Sequence, residues 1–101
     1  GFIGSPKMNF IDGARLGETA SMVGVRPEHV AVSTSEGAWR GTVVHAEHLG
    51  ADTNLYLDTE QAGLITVRLF GEYAAEPGTA LFATPDSARM FRFGADGMRM
   101  R

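Results

Sequence analysis

The sequence predicts a small all-β domain, a barrel or sandwich of about seven short strands. Three observations carry the prediction. Short β-prone runs recur along the chain, and each is closed by a cluster of Gly, Pro or Asp. The run 63–70 alternates, with Ile65, Val67 and Leu69 on one face and Thr66 and Arg68 on the other. No window keeps the i, i+3, i+4, i+7 spacing of an amphipathic helix.

The elements follow in order. Residues 10–20 are the least decided stretch, with Asp12-Gly13 and Leu16-Gly17 reading as loop. Residues 21–26 form the first strand, and Pro27-Glu28 interrupts it because proline has no N–H to give a ladder. Proline suits the first position of a helix, so a short helical turn is expected at Pro27-Glu28-His29. Residues 29–33 resume as strand, and Thr34-Ser35-Glu36-Gly37 is a turn. Residues 39–49 are the longest candidate strand; Gly50-Ala51-Asp52 breaks it before 53–58. The alternating run 63–70 is followed by the turn Glu76-Pro77-Gly78 and a strand over 79–84. Pro85-Asp86-Ser87 marks a second short helical turn, after which 88–93 is expected to pair back. Ala95-Asp96-Gly97 is the last tight turn, before Met98-Arg99-Met100.

A chain of 101 residues suits one domain with a modest core. Its apolar content of 44% and charged content of 21% are ordinary for a globular protein. The net charge of −3 disfavours a duplex-DNA binder, and no nucleic-acid partner is expected. The charge is uneven. Residues 88–101 carry Arg89, Arg92, Arg99 and Arg101 against Asp96, a local +3, which leaves −6 for residues 1–87. That basic end reads as a solvated edge hairpin, with a docking patch as the alternative. There is no cysteine, hence no disulfide, thiol nucleophile or thiolate metal site, which fits a reducing cytoplasm. No apolar run approaches the roughly 18–20 residues of a membrane-spanning helix.

Candidate chemistry is sparse. Lys7, in Ser5-Pro6-Lys7-Met8, is the only lysine, and nothing around it forms the G-x-x-x-x-G-K-S/T loop that cradles nucleotide phosphates. His45, Glu47 and His48 are proper metal-ligand types, but strand alternation puts His48 on the face opposite the other two, so no metal site is expected. Arg26-Pro27-Glu28-His29 offers an anion-binding cation beside an acid and a base. The stronger reading is structural, with Pro27 fixing a turn and Glu28 favouring a helix N-terminus. No G-x-S-x-G elbow or nucleophile–base pair is visible. Trp39, Tyr56, Phe70, Tyr73, Phe82, Phe91 and Phe93 read as core or subunit-contact aromatics, because most lack the basic escort of a base-stacking platform. Phe91 and Phe93 share one strand face with Arg92 opposite and Met90, Met98 and Met100 nearby, a composition common in interfaces.

Four blocks of the chain, in order, carry a resemblance to a known family. Gly1 to Asn9 is similar to a junction segment, with Gly4-Ser5-Pro6 as the exit from a preceding helix. Val23-Gly24-Val25-Arg26-Pro27-Glu28-His29-Val30 is similar to a G-I/V-R-P-E-H/D signature. The block from Gly41 to Leu55, with Glu47-His48-Leu49-Gly50-Ala51-Asp52-Thr53 inside it, is similar to a strand ending E-x-L-G-x-acid-S/T. Glu76-Pro77-Gly78, Met90-Phe91-Arg92-Phe93 and Asp96-Gly97 are similar to the closing elements. The family is the regulatory region of ATPase subunits from carbohydrate-import ABC transporters, the maltose and glycerol-3-phosphate type. One departure is that only residues 10–25 separate Asn9 from Arg26, where relatives carry a longer insert.

The resemblance implies an OB-like barrel, often called the transport-associated OB domain, with its first part abbreviated. It implies a junction over 1–9 and a regulatory domain over 10–101. It further implies a non-catalytic regulatory and dimerisation role, with no cofactor in this chain and with ATP and Mg bound by the full-length parent. The implied partners are a second copy, the upstream nucleotide-binding domain, membrane permease subunits and a signal-transducing protein. The implied location is the cytoplasmic face of the cell membrane. Arg26, Glu28, His29, Phe91, Arg92 and Phe93 are the candidate interface or regulatory residues. The alternative is a barrel that senses small oxyanions, with Ser5, Lys7 and Asn9 supplying part of the site.

Overall fold

The computed structural model describes residues 7–100. Within them lie eight strands and no α-helix: β1 (Asn9–Asp12), β2 (Met22–Val25), β3 (Val30–Ser33), β4 (Trp39–His48), β5 (Asp52–Thr59), β6 (Gly63–Phe70), β7 (Ala80–Pro85) and β8 (Phe91–Phe93). Three 3-10 turns, Gly13–Leu16, Pro27–His29 and Ser87–Arg89, join them. The strands form two antiparallel sheets, one in the order β1-β2-β8 and one in the order β3-β7-β4-β5-β6. The sheets curl toward each other as a half-barrel, and the turn Pro27–His29 packs on β6.

Alternation decides which side chains meet between the sheets. Ile11, Val23 and Val25 point inward from the smaller sheet, and Val43, Leu55, Leu57, Ile65, Val67 and Leu81 from the larger; all are at most 2% exposed. Each such aliphatic side chain contributes about 1.5–3 kcal/mol by leaving water. On β4 the alternation is corrected once. The register with β5 shifts between Val43 and His45, which is a β-bulge. The extra residue turns Ala46 inward and leaves His45 and Glu47 outward, paired with Tyr56 and Asn54.

β6 is an edge strand, so its outer backbone groups need partners. Asn9 supplies them. Its Nδ2 donates to the Thr66 carbonyl at 2.8 Å, and its Oδ1 accepts from the Thr66 N–H at 2.8 Å. One buried side-chain amide thereby stands in for a strand and fastens β1 to the edge of the other sheet.

The sequence expectation of about seven strands misses β1. Asn9-Phe10-Ile11-Asp12 is flanked by two residues that strands disfavour, yet it pairs with β2 from Asn9↔Val25 to Asp12↔Met22. A second correction concerns residues 88–93, expected to pair back onto the strand before them. Asp86 caps the Ala88 N–H with its side chain, and the Arg89 N–H closes on the Asp86 carbonyl. This 3-10 turn diverts the chain, and β8 pairs with β2 in the other sheet. The final turn forms at Asp96-Gly97, but beyond it the described residues pair back through a single bridge between Phe93 and Arg99 and the Met100 N–H on the Arg92 carbonyl at 2.6 Å. Of the junction expected over 1–9, residues 1–6 lie outside the described residues; Lys7 is exposed and Asn9 opens β1.

Replacing Asn9 by Ala leaves the Thr66 N–H and carbonyl without their partner. The expected loss is about 2 kcal/mol of unfolding free energy, measurable by urea denaturation against the parent chain.

Candidate functional site

The outer face of the three-stranded sheet is built by register. Phe10, Gly24 and Phe91 lie side by side across β1, β2 and β8, and Asp12, Met22 and Phe93 form the next row. Most of this face is apolar, yet it turns away from the core: Phe10 is 61% and Met22 38% exposed. Gly24 makes the face possible. A Cβ there would meet the Met8 sulfur at 2.7 Å, Phe10 at 3.4 Å and Phe93 at 3.5 Å, so hydrogen is what lets these side chains close over the strand. The Phe10 and Phe93 rings are tilted at 55° with centroids 6.2 Å apart, a favourable aromatic geometry.

Beside them, Phe91 carries two cations. The Arg26 guanidinium lies 5.7 Å from its ring centroid and that of Arg99 lies 4.7 Å away. Among the described residues neither arginine has an acidic partner within ion-pair distance. The structure thus brings three sequence-predicted residues, Arg26, Phe91 and Phe93, onto one face and adds Phe10, Met22 and Arg99. Phe10 and Met22 were hidden from sequence reasoning because their role depends on β1, whose pairing no local pattern announces. A four-residue alternation such as Asn9-Phe10-Ile11-Asp12 is too short to name its partner strand.

The other predicted residues lie elsewhere. Arg92 points inward from β8 and pairs with Glu18, Nε to Oε1 at 2.8 Å and Nη2 to Oε2 at 3.4 Å. The guanidinium beside Glu18 holds its carboxyl below the usual carboxylate range against the opposing effect of burial, and the same hydrogen bond pushes Arg92 up. This pair ties β8 to the loop that follows β1. Glu28 and His29 line a groove with Thr84, Pro85, Asp86 and Arg89. Arg89 has only donors, so at 3.0 Å from Arg89 Nη1 the His29 Nε2 accepts, which leaves the ring proton on a buried Nδ1 without a partner. Glu28 is exposed.

His45, Glu47 and His48 take the faces that alternation assigns. His45 stacks on Tyr56 outside, with centroids 5.9 Å apart. Glu47 accepts from the Tyr56 hydroxyl at 3.4 Å, and burial together with this carboxylate pushes Tyr56 up. His48 turns to the Thr53 hydroxyl at 3.3 Å. Among the described residues no three His, Asp or Glu converge to hold a metal ion. Of the oxyanion donors considered above, Ser5 lies outside the described residues, Lys7 is exposed, and the Asn9 amide is committed to Thr66.

Because Glu18 titrates lower in the folded chain than in the unfolded one, its contribution is present above the unfolded pKa and is lost as pH falls through the folded value. Being partly exposed, the pair contributes about 1 kcal/mol or less. Glu18→Gln should therefore flatten the acid limb of the stability–pH curve while changing its slope above neutrality little, as followed by urea midpoints from neutral to acid pH.

Comparison with known proteins places this arrangement. The TOBE domain family matches residues 23–93, from β2 to β8. The chain is similar to the sn-glycerol-3-phosphate import ATP-binding protein UgpC of Chromohalobacter salexigens, 34% identical over 126 positions that cover 98% of this chain and 33% of that protein. It is also similar to the UgpC protein of Rhodopseudomonas palustris, 32% identical over 127 positions covering 97% of this chain and 35% of that protein. The chain therefore spans about a third of the length of these relatives. Both aligned stretches are longer than the 101 residues present here, so the relatives carry residues in this region that this chain lacks. The match over most of the chain and the all-β half-barrel agree, and the chain belongs to the TOBE domain family.

Proposed function

We propose that this chain is the regulatory domain of the ATP-binding subunit of an ABC importer, and that it performs no catalysis itself. The observation that carries the reading is the match along nearly the whole chain to two ATP-binding proteins of import systems. In this reading the parent binds ATP and Mg through a nucleotide-binding domain and docks on membrane permease subunits at the cytoplasmic face. Sn-glycerol-3-phosphate, named for both relatives, or a related polyol or sugar is the cargo. Among the described residues no helix is long and apolar enough to cross a membrane.

The domain works by contact. Two ATP-binding subunits meet partly through their copies of it, and the outer face of β1-β2-β8 is the surface that supports such a contact best. An exposed aromatic cluster next to arginine is the composition that interface cores favour. A signal-transducing protein acts through the domain only if it prefers one of the open or closed arrangements of the two motors. The groove that Glu28 and His29 share with Arg89 is where such a partner reads the domain.

The test is the intact mass of the native product in its source cells, with peptides sequenced upstream of Gly1. A product about three times longer, carrying a G-x-x-x-x-G-K-S/T loop before Gly1, is the expected result. A native product of this size would contradict the reading.

A further inference from the structure

We infer that the outer face of the three-stranded sheet is a self-complementary contact, in which Asp12 of one copy is received between Arg26 and Arg99 of a second copy. The inference rests on the subunit-contact reading above and adds to it an orientation and a charge pairing.

The argument is the layout of the face. Its middle is apolar, with Phe10 and Phe93 packed over Gly24 and Met22 beside them. Its charges occupy opposite corners. Asp12 stands on β1 in the row of Met22 and Phe93, and it is exposed. Its Oδ1 accepts from the Ala14 N–H at 3.0 Å, which fixes the carboxylate at the end of the strand. At the other corner two guanidiniums lean on Phe91. Two cations on one ring repel each other, and among the described residues no carboxylate lies within ion-pair distance of either.

A two-fold axis lying in the contact plane along the remaining diagonal exchanges these corners. It sets each Asp12 against the partner's guanidinium pair and each Phe10–Phe93 cluster against its own copy. This is the isologous geometry of a closed dimer. A two-fold axis along the Asp12–Phe91 diagonal instead opposes Asp12 to Asp12 and each guanidinium pair to its own copy, so the charges select one diagonal and reject the other. A nucleic-acid strand fits worse, because the chain is net −3 and the Phe91 ring already carries both guanidiniums. The face spans three strands of only four, four and three residues, whereas a stable free-standing interface buries roughly 1,200–2,000 Å². The contact is therefore weak between separate chains and strengthens when two copies are held together by the rest of a longer protein.

Sedimentation velocity over a concentration series tests the pairing in three variants. Arg26→Glu with Arg99→Glu forms the first, Asp12→Arg the second, and Asp12→Asn, which keeps the cap to Ala14 while removing the charge, the third. Circular dichroism checks that each retains the parent spectrum. The parent chain should self-associate, and each variant should do so at least about tenfold more weakly. Mixing the first two should restore association as a heterodimer, since every reversed charge then meets its opposite. Parent-like association of Arg26→Glu with Arg99→Glu, or a mixture no stronger than its components, would overturn the pairing and leave the subunit-contact reading standing. A parent chain that stays monomeric up to about 1 mM, the effective concentration that tethering supplies, would overturn both.

Discussion

The amide of Asn9 holds this structure in its shape. A half-barrel made of two sheets has open edges, and an edge strand with unpaired backbone groups invites either solvent or another chain. Here the edge of β6 is met by a side chain whose donor and acceptor match one residue's N–H and carbonyl. That bidentate contact draws β1 across the core, and with β1 come β2 and β8. The apolar inner faces then bury themselves, but they are non-directional and do not by themselves set the angle between the sheets. Two hydrogen bonds with fixed geometry do.

Once the sheets are fixed, strand alternation assigns every other side chain. The residues between Asn9 and Asp12 divide cleanly, Ile11 to the core and Phe10 to the outside. The same rule sends Arg92 inward to Glu18 and leaves Phe91 and Phe93 outward. The face that results is apolar because Phe10, Met22, Phe91 and Phe93 occupy its outward positions, and because Gly24 makes room for rings rather than filling the space itself. The bulge at Val44 plays the equivalent part in the larger sheet, where it restores the inward position of Ala46 and keeps His45 and Glu47 on the surface. What the domain offers to partners is therefore a by-product of how it closes.

Much of this was legible in the sequence where the determinants are local. The run Gly63–Phe70 appears as a strand with the boundaries and faces its alternation implies. The turn at Pro27–His29 appears where proline favours a helical first position. The break at Gly50 appears as a left-handed residue, with φ of 78°. The failures share one cause, which is dependence on distant partners. β1 owes its existence to pairing with β2 and to Thr66 in β6, and neither leaves a mark on Asn9-Phe10-Ile11-Asp12. The course of β8 was misjudged because nearness in sequence suggested β7, whereas a capped turn redirects the chain. The candidate face was half visible. Arg26, Phe91 and Phe93 could be named from composition and resemblance, but their union with Phe10, Met22 and Arg99 needs the register of three strands.

In the proposed reading this TOBE domain works by contact, so the rigidity of its outer face is what that reading requires of the fold. That rigidity traces back to the clamp on β6. The most direct measurement is hydrogen exchange at the Thr66 amide in the intact chain. The amide faces away from the neighbouring strand, and the account predicts that it exchanges as slowly as the core amides of β5, because Asn9 holds it. Exchange at the rate of an open strand edge would show that β1 is not fastened there, and would contradict the central claim.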